Sequence, residues 1–72
     1  MKNEQNARFG AEIERGIITE ADDGKYTVSS YDRPGVTAWE MEPIGEETYQ
    51  TGDGVYFFLF PDGKGRILCG IA

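Results

Sequence analysis

The side chains able to do chemistry in this 72-residue chain are mostly carboxylates: 13 Asp and Glu stand against 7 Lys and Arg, with no histidine and one cysteine. They gather at Asp22-Asp23, at Glu40 with Glu42, and at Glu46-Glu47. A glycoside-cleaving pair needs two carboxyl groups facing each other across a cleft with one pKa raised, and no spacing here announces that arrangement. A calcium loop needs oxygens at alternating positions around a glycine, for which Asp22-Asp23-Gly24 is too short. The carboxylates therefore read as a solvated acidic face. Without histidine, and with Cys69 as the lone thiol, the chain has neither the usual zinc ligands nor the means to close a disulfide on itself. Ser29 and Ser30 have no imidazole to activate them. Cys69, read as sharing an apolar strand face with Ile67 and Ile71, is expected to be inert. Gly52-Asp53-Gly54 and Gly63-Lys64-Gly65 flank strands and lead into no helix, so they read as turns and not as phosphate cradles. The expectation is a non-enzymatic protein with no catalytic residue, cofactor, metal or small-molecule substrate.

The formal net charge of −6, with Lys2, Arg8, Arg15, Lys25, Arg33, Lys64 and Arg66 scattered, speaks against a nucleic-acid partner, whose phosphates favour basic surfaces. No apolar run is long enough to cross a membrane, and no charged-then-apolar leader opens the chain. The expectation is a soluble protein, cytoplasmic when synthesised.

The elements that must position these residues are short and punctuated by turns. Residues 1–10 are read as a flexible N-terminal segment and residues 11–72 as one domain, since a chain of this length has room for a single core. Glu12 to Ala21 alternates as a half-buried strand, with Ile13, Ile17, Thr19 and Ala21 on one face and Glu12, Glu14 and Glu20 on the other. Asp23-Gly24 then turns into a second strand, Lys25 to Ser30, in which Tyr26 and Val28 share a face. Pro34-Gly35 fits the central positions of a type II turn, ahead of a third strand from Val36 to Met41 on which Trp39 and Met41 lie together. Ile44 to Thr51 reads as a loop, Val55 to Phe60 as a strand apolar on both faces, and Arg66 to Ile71 as its antiparallel return.

Five such strands without any sustained helical period predict an all-β fold, a small five-stranded closed or partly open barrel. Closure protects the edges that so short a sheet would otherwise expose. An oligonucleotide/oligosaccharide-binding (OB-like) barrel and a Src-homology-3-like (SH3-like) barrel are both compatible with the pattern. The aromatic set Tyr26, Tyr31, Trp39, Tyr49, Tyr56, Phe57, Phe58 and Phe60 reads chiefly as core and interface packing, because stacking on single-stranded nucleic acid needs cationic surroundings that this chain lacks. In the fourth strand Val55, Phe57 and Leu59 point one way and Tyr56, Phe58 and Phe60 the other, and a small barrel can take in only one of these faces. Tyr56, Phe58, Phe60, Leu68 and Trp39 are thus the interface candidates, and self-association or other assembly proteins the expected partners.

Taken in order, Gly16-Ile17-Ile18, Asp23-Gly24-Lys25-Tyr26-Thr27-Val28, Asp32-Arg33-Pro34-Gly35-Val36, Glu42-Pro43-Ile44, Gly52-Asp53 before Val55 to Phe60, and Gly65 to Gly70 resemble the small barrel domain of phage baseplate and tail-spike assembly proteins. The resemblance spans about Gly16 to Ile71 and lacks the spike that follows the barrel in larger members. It implies a structural subunit of a phage- or prophage-derived tail or baseplate assembly, carried in the virion or its tail, with no catalytic residues in this domain. The alternatives are a Src-homology-3-like peptide-binding module and, third, an OB-type nucleic-acid or sugar binder.

Overall fold

A computed structural model describes residues 12–71; the N-terminal segment of residues 1–10 lies outside the described residues. Five strands form the barrel: β1 (Glu12–Asp22), β2 (Lys25–Ser30), β3 (Thr37–Pro43), β4 (Gly54–Leu59) and β5 (Gly65–Gly70). The order around the closed barrel is β1-β2-β3-β5-β4, with β4 returning to β1. All neighbours are antiparallel except β3 and β5, which run parallel. This is OB-type connectivity. A Src-homology-3-like barrel runs its first four strands as a meander and returns the fifth to the first, so that alternative does not describe this chain.

The turns follow the local chemistry. Asp23 (φ 57°) and Gly24 (φ 82°) both take positive φ between the paired Asp22 and Lys25, the signature of the type I′ hairpin that matches strand twist. Pro34-Gly35 forms the expected turn, closed by the Val36 N–H donating to Arg33 O at 3.0 Å with Gly35 at φ 87°. Between β4 and β5 the Gly63 N–H donates to Phe60 O at 2.9 Å and the Phe60 N–H to Lys64 O at 2.7 Å, a three-residue hairpin loop.

Ile18, Tyr26, Val28, Ala38, Met41, Val55, Phe57 and Ile67 fill the interior, with Tyr49 and Leu59 packed against them. Gly16 is required there. A Cβ at this position would lie 2.6 Å from Val28 Cγ1 and 2.8 Å from Phe57 Cε1, closer than carbon atoms approach. Tyr49, from the β3–β4 loop, closes one mouth of the barrel: its N–H donates to the Tyr26 hydroxyl at 3.0 Å and the two rings meet edge to face at 5.6 Å.

Three register shifts set which side chains face out, and they correct three sequence expectations. Ile18 pairs with Val28 but Glu20 with Thr27, so Thr19 is an extra residue that reverses the alternation along β1. Before the bulge the inward set is Glu14, Gly16 and Ile18, leaving Ile13 67% exposed and Ile17 half-buried. The expected assignment of Ile13 to the core and Glu14 to solvent is therefore inverted. In β3, Ala38 pairs with Val28 and Met41 with Tyr26, so two residues, Trp39 and Glu40, bulge outward where one would fit. Trp39 and Met41 lie on opposite sides. In β5, Leu68 is the extra residue between Ile67, opposite Phe57, and Cys69, opposite Tyr56. Cys69 is exposed, separated from the buried Ile67, so its expected apolar shelter is absent.

Candidate interaction surfaces

Glu14 faces inward at the barrel end nearest the β2–β3 loop and is only 6% exposed. A carboxylate there must be paired. Arg33 supplies a two-pronged guanidinium, Nε donating to Oε1 at 3.0 Å and Nη2 to Oε2, while the Ser30 hydroxyl donates to Oε1 at 2.8 Å. Ser30 Oγ in turn accepts the Arg33 N–H at 3.0 Å. The next residue on β1, Arg15, points outward and grips the same loop from the other side. Its backbone N–H and its Nη2 each donate to Asp32 at 2.7 Å. Hydrogen bonds from the Arg15 side chain and then its backbone hold the Asp32 carboxyl below the usual carboxylate range, while the Asp32 and Glu14 carboxylates raise the pKa of Arg15 and Arg33 respectively. The two crossed pairs are a staple that fixes the β2–β3 loop on β1. Ser30 is committed to it.

The outer side of β1 and β4 carries an apolar row. Phe58 stands directly across from Ile13, and Tyr56 across from Arg15. Phe58 is half-buried, Tyr56 is 37% exposed and Phe60 39%, and the Phe58 and Phe60 rings meet edge to face at 5.6 Å. Leu68, half-buried at its bulge, lies next to this row because its neighbour Cys69 pairs with Tyr56. Four of the five interface candidates, Tyr56, Phe58, Phe60 and Leu68, are thereby brought together. Ile13 belongs with them and was not foreseen: its spacing shows that it shares a face with Ile17, but not that the opposite face goes inside. Arg66, opposite Phe58, is in no ion pair among the described residues.

Trp39 lies elsewhere. Following the barrel order, β3 is separated from β4 by β5 on one side and by β2 and β1 on the other. Its ring is 66% exposed and borders a cleft of about 220 Å³ on the outside of β1, β2 and β3. Glu20 and Asp22 from β1, Lys25 and Thr27 from β2, and Glu40 beside Trp39 complete its outward lining, with an edge of Tyr26 below.

Among the described residues no three His, Cys, Asp or Glu side chains converge to hold a metal ion. No helix is long and apolar enough to cross a membrane. No protein-family model, curated protein or solved structure matches the chain.

Proposed function

We propose that this domain is a non-enzymatic structural subunit of a phage- or prophage-derived tail or baseplate assembly, joined to its neighbour through the outer row of β1 and β4. The observation that carries this reading is the two-faced β4 strand. Val55 and Phe57 already complete the interior, so Tyr56, Phe58 and Phe60, continued by Ile13, stand as a contiguous apolar surface on a closed barrel that has no further room for them. Such a surface in water marks a contact site. Arg66 at its edge calls for a carboxylate from the neighbour. A second copy of this acidic chain can supply one, which makes a homo-oligomer the first arrangement to test.

The setting in a tail or virion rests on the sequence resemblance alone. Flanking genes for tail or baseplate components support it, and a neighbourhood of signalling or metabolic genes removes it. The contact itself is tested by light scattering coupled to size exclusion on the wild type and on Phe58→Glu. The expected result is an oligomer that the variant converts to a folded monomer, because a carboxylate placed in an apolar contact costs several kcal/mol. A wild type that is monomeric at high micromolar concentration, alone and mixed with the products of its flanking genes, overturns the reading.

A further inference from the structure

We propose that Asp23-Gly24, at the tip of the β1–β2 hairpin, is a site of spontaneous covalent modification, where the chain isomerises to isoaspartate and the hairpin loosens. The reaction involves no residue of the β1–β4 row.

The chemistry needs an aspartate followed by a residue whose backbone nitrogen is unshielded, a condition that glycine meets best because it has no side chain. The Gly24 nitrogen forms a bond to Asp23 Cγ and loses its proton, while the hydroxyl of the protonated carboxyl leaves as water, closing a cyclic imide. Water then opens the ring. Addition at Cγ returns the original aspartate, whereas addition at the Asp23 main-chain carbonyl carbon leaves the backbone running through Cγ. One water is released and one taken up, so the net change is an isomerisation that needs no oxidant, reductant or enzyme.

Three Asp-Gly pairs occur in the chain, Asp23-Gly24, Asp53-Gly54 and Asp62-Gly63, and local sequence gives them equal claim. The structure separates them. Ring closure swings the carboxyl onto the next amide, so hydrogen bonds that hold either group must first be broken by local opening. The Asp53 carboxylate accepts the Gln50 N–H at 2.8 Å, its carbonyl accepts the Ile18 N–H at 2.9 Å, and Gly54 already lies in β4 opposite Ile17. The Asp62 carboxylate accepts the Lys64 N–H at 3.0 Å, while the Gly63 N–H donates to Phe60 O at 2.9 Å. Asp23-Gly24 has no such hold. Among the described residues neither the Asp23 carboxylate nor the Gly24 N–H takes part in a hydrogen bond, both residues are exposed, and the space around Gly24 is open.

The product cannot keep the turn. A two-residue type I′ loop matches the twist of its strands with a fixed number of backbone atoms, and isoaspartate adds one. The pairs Asp22 with Lys25 and Ala21 with Tyr26, which close the hairpin next to the turn, bear the mismatch.

The full-length protein is kept warm at mildly acidic pH, folded in buffer and, in parallel, unfolded in guanidinium chloride. Samples are digested, and isoaspartate is located by electron-transfer fragmentation, which distinguishes it from aspartate of the same mass. The expected result is comparable conversion at all three pairs in the unfolded chain, but in the folded protein conversion at Asp23 at least about five-fold faster than at Asp53 or Asp62. Asp23→Asn preserves the turn, since Asn-Gly is a favoured type I′ pair, and loses ammonia through the same imide. This variant is expected to gain the mass of a deamidation while folded. Isomerised protein, separated by chromatography, is expected to unfold at lower denaturant than its parent. Folded protein that converts Asp53 or Asp62 as fast as Asp23, or folded Asp23→Asn that stays intact while its unfolded counterpart deamidates, overturns the proposal. An unchanged midpoint for the isomerised protein overturns the loosening of the hairpin.

Discussion

Glu14 and Asp32 do similar work under different conditions of burial. Glu14 is 6% exposed and, among the described residues, accepts the Ser30 hydroxyl, whereas Asp32 lies on the surface where its pairing with Arg15 is screened by water. Glu14→Ala is expected to cost about 1–3 kcal/mol, because it strands the buried Ser30 donor as well as the Arg33 fork. Asp32→Ala should cost less. Urea denaturation of the two variants measures the order, and the reverse order would show that the inner half of the staple is not the stronger. A second residue-scale consequence concerns alkaline pH. Burial, and then the hydrogen bond to Glu47, push the Tyr49 hydroxyl from 10.0 up to about 12. Between those values the unfolded chain gives up this proton and the folded chain keeps it, so the unfolded state binds fewer protons and stability falls as pH rises. The Tyr49 contribution is intact below pH about 10 and lost by pH about 12. Tyr49→Phe is expected to flatten that part of the profile in thermal melts recorded from pH 9 to 12.

At the scale of elements, the three bulges decide more than the strands that contain them. Each inserts one residue and reverses the alternation beyond it, which is why β1 shows Glu14 and Ile18 inward but Glu20 and Asp22 outward. The β3 bulge is the one with a measurable backbone cost. Replacing Glu40 by glycine removes the penalty of positive φ and is expected to leave stability unchanged or raise it by up to about 1 kcal/mol, the gain being offset by the greater freedom of glycine in the unfolded chain. Glu40→Val, with a branched side chain that resists positive φ, should lose more than about 1 kcal/mol. Chemical denaturation of the pair reads the difference. Equal midpoints would mean that the left-handed conformation at Glu40 is not held in solution, and with it the outward setting of Trp39.

For the molecule as a whole, closure depends on its weakest seam. β1 is laddered to β2 and to β4 over most of its length, but β3 meets β5 only through Glu42 with Arg66 and Pro43 with Ile67. Pro43 has no N–H to give the ladder. The seam is extended by one bond beyond β3, the Ile44 N–H donating to Ile67 O at 2.9 Å. Opening there leaves β1, β2 and β4 paired, so it should occur well below the free energy of global unfolding. Native-state hydrogen exchange is expected to show the Ile44 amide exchanging at least about ten-fold faster than the hydrogen-bonded amides of the β1–β2 and β1–β4 ladders. Uniform protection around the barrel would show that it opens only as a unit.

The sequence by itself determined the elements of this protein and the turns between them, because those depend on neighbours in the chain. Asp23-Gly24, Pro34-Gly35 and Gly63 dictate φ locally, and the alternation in Val55 to Phe60 marks a strand whatever surrounds it. It also determined that β4 has one face too many for a small barrel, a matter of counting apolar side chains against available interior. Tertiary structure decided the rest. Nothing local tells Glu14 that Arg33, nineteen positions on, will pair with it inside, nor that Thr19, Trp39 with Glu40, and Leu68 will bulge, since a bulge is a mismatch between two strands and is written in neither alone. The outward turn of Cys69 and the cleft at Trp39 follow from those mismatches, and the strand order is likewise a matter of which distant strands pair. They exist only once the barrel has closed.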